Sequence, residues 1–135
     1  MSNFAALTLG DEFVRELTVS EELMAAFRSW SGDDHPLHND LQFAAAKGFP
    51  RRVAYGNLLG LMVSALVGVE MFPFEVMLAS QSIIYRKPVL LGDTVTMRGV
   101  VDHKQDALRV AELKISVRNQ QGTLVASGKV QVKGL

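Results

Sequence analysis

The sequence predicts an α+β fold in which a curved antiparallel sheet wraps around one long buried helix. The segment from Asn57 to about Met71 is apolar on every side, and a helix of that composition must be surrounded by protein. After Pro73, apolar and polar residues alternate with the period of a strand. Short turns separate the strands that follow, and short turns join antiparallel neighbours.

The composition is that of one globular domain, which we expect to span residues 1–135. Hydrophobic residues make up 48% of the chain, enough to bury a core without a disulfide or a structural metal. The chain has no cysteine, which excludes thiolate chemistry and fits a cytoplasmic location. Fourteen basic residues balance fourteen acidic ones without a charged arm, so we expect no nucleic-acid partner.

The apolar run from Val53 to Val69 is somewhat short for a membrane span and contains Tyr55, Asn57 and Ser64. The N-terminal stretch MSNFAALTLGDEF lacks the basic start of a signal peptide. We therefore expect the run to be a buried helix and expect no membrane partner.

The first elements are a strand and a capped helix. Phe13 to Val19 is predicted to be a short strand. Ser20 is a candidate helix N-cap, because its side-chain oxygen can accept a hydrogen bond from a free backbone N–H, and Glu21 and Glu22 suit the positive end of the helix dipole. Four apolar side chains share one face of this helix and are expected to enter the core: Leu23, Met24, Phe27 and Trp30.

A second, shorter helix is predicted before the long one. Gly32 and Pro36 break the first helix. Asn39 or Asp40 can cap the short helix, which runs through Phe43 and three alanines, and Gly48 is placed to end it.

Four strands are predicted after the long helix: Val76 to Arg86, Thr94 to His103, Leu108 to Arg118 and Leu124 to Lys133. The third strand alternates most regularly, with Ala111, Leu113, Ile115 and Val117 on one face. A sheet of this size with one helix leaves edge strands, and pairing those edges across a homodimer would hide them. We therefore expect a homodimer.

Ser29 to Asp40, SWSGDDHPLHND, contains three aspartates and two histidines. Pro36 prevents a regular helix between Asp33 and His38, so on a loop both side chains can converge on one water molecule as a general acid/base pair. Two other interpretations fit the spacing. In one, Asp33 only caps a turn and His38 is a polar loop residue. In the other, a metal is bound by Asp33, His35, His38 and Asp40, although no specific metal-binding spacing is present.

Gly56 stands at the predicted start of the buried helix. The first N–H groups of a helix have no internal partner, and a glycine lets a ligand approach them closely. These groups can form an oxyanion hole for a carbonyl oxygen that becomes negative. Alternatively, Gly56 only permits tight packing. Ser64, two turns further along, is expected to bond back to a helix carbonyl when judged by spacing alone.

The stretch SGDDHPLH resembles the hydratase motif of MaoC-like, (R)-specific enoyl-CoA hydratases, roughly S-G-D-x-N-P-[LIV]-H. Further pieces of the chain are similar to the same family: GDEF near the start, FAA after the motif, VAYG before the long helix, and SQS, YRKPV and GDT in the second half. The resemblance covers nearly the whole chain.

The resemblance implies a hotdog fold and a dimer that acts on acyl thioesters of coenzyme A or acyl carrier protein, with no other cofactor and no metal. It implies that Asp33 and His38 form the catalytic pair and that the Gly56 N–H holds the thioester carbonyl. It also implies that Ser64 supports the site.

Three residues depart from the family pattern: His35 replaces the usual asparagine, Tyr55 replaces histidine and Asn57 replaces methionine. His35 can pair with Asp33 or replace the asparagine as a hydrogen-bond donor. Tyr55 can offer its phenol to the ligand or fill space, and Asn57 is included among the candidate substrate-binding residues. Four basic residues near the matched segments are candidates for the phosphates of the carrier, or simple solvated charges: Arg51, Arg52, Arg86 and Lys87.

Two other functions fit the same helix start. A hotdog acyl thioesterase would direct water at the thioester carbonyl. A non-catalytic subunit would bind the acyl thioester without changing it.

Overall fold

The computed structural model describes residues 4–135. A 3-10 turn, Phe4–Ala6, precedes the first strand. Strands and helices then follow in this order: β1 (Glu12–Thr18), α1 (Glu21–Ser31), α2 (Pro36–Asn39), α3 (Leu41–Ala46), α4 (Leu58–Ala65), β2 (Val76–Tyr85), β3 (Thr94–Gln105), β4 (Val110–Arg118) and β5 (Leu124–Gly134). A π-helical turn, Leu66–Glu70, continues α4.

The five strands form one antiparallel sheet in the order β1-β3-β4-β5-β2. The apolar side chains predicted to share one face of β4 are buried, as are Val95, Met97 and Val101 of β3. They pack against Leu59, Met62, Val63 and Leu66 of α4 and its extension. A Cβ at Gly99 would lie 3.0 Å from the side chains of Leu66 and Leu113, so the glycine leaves room for these side chains to pack against β3. The α+β prediction is confirmed, and the arrangement is that of the hotdog fold.

The predicted helix caps are confirmed. The backbone N–H of Leu23 donates to Ser20 Oγ at 3.1 Å, and Gly32 ends α1 with a positive φ of 75°. Asp40 caps α3 by accepting from the N–H groups of Gln42 and Phe43. These contacts satisfy backbone donors that have no partner within the helix.

The prediction that Trp30 enters the core is wrong, because its side chain is 91% exposed. Met24 on the same face is buried, whereas Leu23 and Phe27 are half-buried. Side chains on this face are therefore less buried toward the C-terminal end of α1.

The apolar helix α4 is also covered less completely than its sequence predicts. Leu58, Leu59, Met62 and Val63 are buried, but Leu61 remains 49% exposed, and Ser64 and Gly68 are exposed on the same side. One face of this helix is therefore uncovered in the single chain.

Within residues 4–135, no helix is both long enough and apolar enough to cross a membrane.

Candidate active site

A cavity of about 390 Å³ lies between the start of α4 and the sheet. Its inner wall is apolar and includes Leu17, Val19, Val95 and Val125. Five residues singled out from the sequence also line it: His38, Tyr55, Gly56, Arg86 and Lys87. A largely apolar cleft with a few polar groups is the usual form of a small-molecule site.

His38 is held in a defined orientation. Its Nδ1 lies 2.7 Å from the Val53 carbonyl oxygen. Because a carbonyl can only accept, Nδ1 carries the hydrogen, and Nε2 of the neutral ring has the free lone pair. The N–H of Val53 donates to the Leu37 carbonyl at 3.1 Å, so the strand-like segment before α4 holds α2 through two bonds. The hydrogen bond therefore favours the tautomer in which Nε2 is the acceptor.

Asp33 lies on the loop between α1 and α2, and its side chain is exposed and does not line the cavity. Its Oδ1 accepts from the His35 N–H at 3.1 Å, and its own N–H donates to Ser31 Oγ at 3.0 Å. The loop conformation is thus fixed by short-range hydrogen bonds.

His35 caps the short helix α2. Its Nδ1 accepts from the Leu37 N–H at 3.1 Å, which is the bond that an asparagine oxygen would accept at a helix start. The ring of His35 also packs edge-on against Phe43, with centroids 5.8 Å apart. At the position where the motif has asparagine, His35 Nδ1 therefore accepts from the backbone, whereas the sequence suggested either a donor or a partner of Asp33.

Tyr55 is 2% exposed and lies between two rings. Its ring stacks on Phe27 with centroids 4.6 Å apart and faces His38 at 4.2 Å. Its hydroxyl donates to the Asp33 carbonyl oxygen at 2.6 Å, and Asn39 Nδ2 donates to that hydroxyl at 3.4 Å.

Gly56 precedes the first turn of α4 and faces the cavity. Within residues 4–135, no acceptor takes a hydrogen bond from its N–H. A Cβ at this position would lie 3.2 Å from the ring of Tyr85, so a side chain here would crowd the cavity mouth. Asn57 and Ser64 are exposed and do not line the cavity.

The four basic candidates separate into two groups. Arg51 pairs with Asp93 at 3.1 Å, and Arg52 pairs with Glu21 at 2.6 Å. Arg86 and Lys87 line the cavity, and Arg86 Nε donates to Ser127 Oγ at 2.8 Å. The first two residues are therefore engaged in ion pairs, and the second two lie at the cavity.

Asp93 anchors the connection that forms part of the cavity wall. Burial opposes its charge, but the Gln120 side chain, the Leu90 N–H and Arg51 all donate to its carboxylate, and together they lower the pKa of Asp93 below its ordinary value. The Val19 N–H donates to the Asp93 carbonyl, which ties this connection to the end of β1.

Among the described residues, no group of three or more His, Asp or Glu side chains is close enough to hold a metal ion. The four residues of the metal interpretation face different partners. Asp40 caps α3, His35 caps α2, and His38 binds the Val53 carbonyl.

Two contributors were missed by the sequence analysis. Phe27 was assigned only to the core, and Tyr85 was considered only as part of a motif. Their contacts with Tyr55 and Gly56 join segments that lie 28 or 29 residues apart in the chain. No local pattern predicts such pairs.

Comparison with known proteins gives consistent matches. A family model described as "MaoC like domain" matches residues 6–122. The (R)-specific enoyl-CoA hydratase of Aeromonas caviae is 34% identical over 110 residues, which cover 82% of each chain. The 3-hydroxybutyryl-CoA dehydratase of Methylorubrum extorquens is 28% identical over 95 residues, which cover 70% of this chain and 60% of that protein. The solved structure of an (R)-hydratase from A. caviae involved in PHA biosynthesis has a TM-score of 0.90 at 30% identity, covering 96% of this chain and 98% of that one.

Proposed function

The chain belongs to the MaoC-like domain family, and from that premise we propose that it is a hydro-lyase that adds water to 2-enoyl thioesters with (R) specificity. The same groups would run the reverse reaction, the dehydration of 3-hydroxyacyl thioesters. The observation that supports this proposal is that His38 and Gly56 both line one largely apolar cavity.

In the proposed mechanism, the thioester oxygen accepts a hydrogen bond from the Gly56 N–H. Addition of water at C3 moves negative charge onto this oxygen, so the bond strengthens as the enolate-like transition state forms. Loss of one such donor typically costs about 3–4 kcal/mol of transition-state stabilisation. Among the residues that the structure describes, none accepts from the Gly56 N–H just before α4, which supports this role.

His38, which lines the cavity, and Asp33, which lies on the adjoining loop outside the cavity lining, are the groups proposed to act on the water. His38 Nε2 or the Asp33 carboxylate takes a proton from the water as its oxygen bonds to C3, and a proton is delivered to C2. Water therefore contributes its hydroxyl group to C3 and one hydrogen to C2, so the atoms balance. No cofactor is required beyond the carrier that forms part of the substrate.

The carrier would enter past Arg86 and Lys87. These residues line the cavity beside Tyr85. The phosphates of coenzyme A or of a phosphopantetheine arm carry negative charge, which suits this basic mouth. The acyl chain would extend toward the apolar wall formed by Leu17 and Val95.

We also propose that the protein is a homodimer. The uncovered face of α4 carries Leu61, and the edge strand β2 exposes Met77, Leu78 and Ile84. An apolar helix face beside an open strand edge is the surface that a second copy would cover.

The proposed reaction is tested by mixing the protein with a short 2-enoyl-CoA. Hydration removes the conjugated absorbance without releasing thiol. A thioesterase would instead release thiol, and a binding subunit would change neither signal but would raise the melting temperature. Chiral analysis of the product tests the (R) configuration, and an (S) product would contradict it.

The residue assignments are tested with Asp33→Asn and His38→Ala. Each is expected to lower kcat by at least about 100-fold, because general acid/base groups typically contribute that much. Matched controls are Asp34→Asn, which changes the neighbouring exposed aspartate, and His103→Ala, which changes an exposed histidine of β3. Folded variants of Asp33 and His38 that keep the full rate would disprove the mechanism.

A further inference from the structure

Tyr55 connects the two residues assigned to the proposed reaction. Its hydroxyl donates to the main-chain carbonyl of Asp33 at 2.6 Å, and its ring faces the His38 imidazole at a centroid distance of 4.2 Å and an angle of 30°. The residue is 2% exposed, and Phe27 stacks on it with centroids 4.6 Å apart. One rigid aromatic side chain therefore contacts both sides of the proposed acid/base pair.

The contact between Tyr55 and His38 restricts tilting of the imidazole plane, a motion that the hydrogen bond at Nδ1 does not prevent. The bond from Nδ1 to the Val53 carbonyl fixes the tautomer and one point of the ring. Rotation about that bond would still tilt the imidazole plane. Tyr55 lies against that plane, so the direction of Nε2 is held as well.

The contact with Asp33 restrains a loop that has few other ties to the core. The hydrogen bonds of Asp33 to Ser31 and His35 are local to the loop. The Tyr55 hydroxyl joins this loop to the segment that leads into α4, 22 residues further along the chain. It therefore ties the Asp33 backbone to the residue that directly precedes Gly56.

On the basis of the proposed function, we propose that Tyr55 is a positioning residue. It holds Asp33 and His38 in the correct position relative to the Gly56 N–H, the proposed oxyanion donor. It acts through the Asp33 main chain and the His38 ring, and its hydroxyl is already engaged by the Asp33 carbonyl. Small displacements of reacting groups cost large factors in rate, so the hydroxyl should matter for kcat.

The test is Tyr55→Phe, which keeps the ring between Phe27 and His38 and removes only the hydroxyl. We expect kcat for enoyl-CoA hydration to fall by about 10-fold or more, while KM changes by less than about 3-fold. The control is Thr18→Val, which removes the hydroxyl of an exposed Thr18–Thr94 pair outside the cavity. The control is expected to keep the rate of the unmodified protein.

A second readout does not depend on turnover. Amide exchange at Asp33 and His35, followed by NMR, reports opening of the loop. Loss of the hydrogen bond from the Tyr55 hydroxyl to the Asp33 carbonyl is expected to raise exchange there by roughly 2- to 10-fold. The Leu23 amide, which is held by Ser20 Oγ, should not change.

Three outcomes would overturn the assignment of Tyr55. The first is an unchanged kcat in Tyr55→Phe, with or without a lower melting temperature, which would make the residue merely structural. The second is a raised KM with unchanged kcat, which would place the phenol on the substrate. The third is unchanged loop exchange. If the unmodified protein itself hydrates no enoyl thioester, the proposed function fails, and this assignment fails with it.

Discussion

At the scale of single residues, Asp93 is a buried carboxylate whose charge is stabilised by its neighbours. Its side chain is 4% exposed, and Gln120, Leu90 and Arg51 all donate to it. Asp93→Asn is expected to destabilise the protein by about 1–3 kcal/mol near neutral pH, because it weakens a charge-assisted, buried hydrogen-bond group. Urea unfolding measures this difference. Asp102→Asn, an exposed aspartate of β3, is the control and should change stability little.

The lowered pKa of Asp93 also implies that the stability of the protein depends on pH. Burial opposes the charge of Asp93, but the hydrogen bonds to Gln120, Leu90 and Arg51 lower its pKa in the folded state. A lowered pKa contributes stability that is fully present above the unfolded value of about 3.9 and is lost as the pH falls through the folded value. When the pH falls from about 6 to about 3, the free energy of unfolding of the Asp93→Asn variant should therefore decrease less than that of the unmodified protein. Parallel acid-dependence curves for the two proteins would contradict this prediction.

The residues of the candidate site were only partly predictable from the sequence. His38 and Gly56, which line the cavity, were singled out because a proline-stiffened loop and a glycine at a helix start leave local signals, although these signals alone left other interpretations open. The role of His35 as a helix cap was not predicted, because histidine is an uncommon cap and its acceptor nitrogen depends on the ring orientation. The bond from Tyr55 to Asp33 was not predicted either, because it joins segments brought together only by the fold.

At the scale of elements, strands β5 and β2 come close enough to exclude a side chain at one position. A Cβ on Gly128 would overlap the Ser82 carbonyl oxygen and would lie 3.1 Å from Ile83 Cα. Both atoms belong to the backbone of β2, so the strands themselves must move. Gly128→Ala is expected to cost about 1–3 kcal/mol or more, because this is overpacking against atoms that cannot rotate away.

Gly60→Ala is the matched control for Gly128→Ala. A Cβ at Gly60 meets only the Gln81 side chain, at 3.8 Å, and alanine favours the helix. Gly60→Ala should therefore leave stability unchanged or raise it by up to about 1 kcal/mol. Thermal and urea unfolding of both variants provide the measurement, and equal stabilities would show that the β5–β2 contact is more compliant than its geometry indicates.

Helix ends that are set by residues nearby in the sequence were predicted correctly. Ser20 and Asp40 cap the helices as expected, because capping needs only a polar side chain and the next few N–H groups. Trp30 was assigned wrongly, because the helical period identifies a face but not how far the rest of the protein extends along it. Coverage of a face is a property of the whole molecule.

At the scale of the whole molecule, a single chain leaves one face of α4 and the edge of β2 uncovered. The prediction that protein surrounds the apolar helix is therefore not fulfilled within one chain. The sequence of α4 predicts a helix surrounded by protein, yet Leu61 is 49% exposed and Val69 on its extension is 57% exposed. Ile84 at the end of β2 is 56% exposed. A second copy of the chain that covers this face would bury these apolar side chains, as the composition of the helix predicts.

We therefore expect the protein to sediment at about twice the mass of its 14.8 kDa chain. Leu61→Lys places a charge in the proposed contact, whereas lysine is a good helix former and should leave the monomer folded. An unpaired buried charge costs several kcal/mol, so the dissociation constant of the dimer should rise by about 100-fold or more. Leu108→Lys, at an exposed position just before β4, is the matched control and should leave the dimer intact. Sedimentation over a range of concentrations measures both variants. A wild-type chain that remains monomeric, or a Leu61→Lys variant that associates as tightly as the control, would mean that a different partner or no partner covers this face.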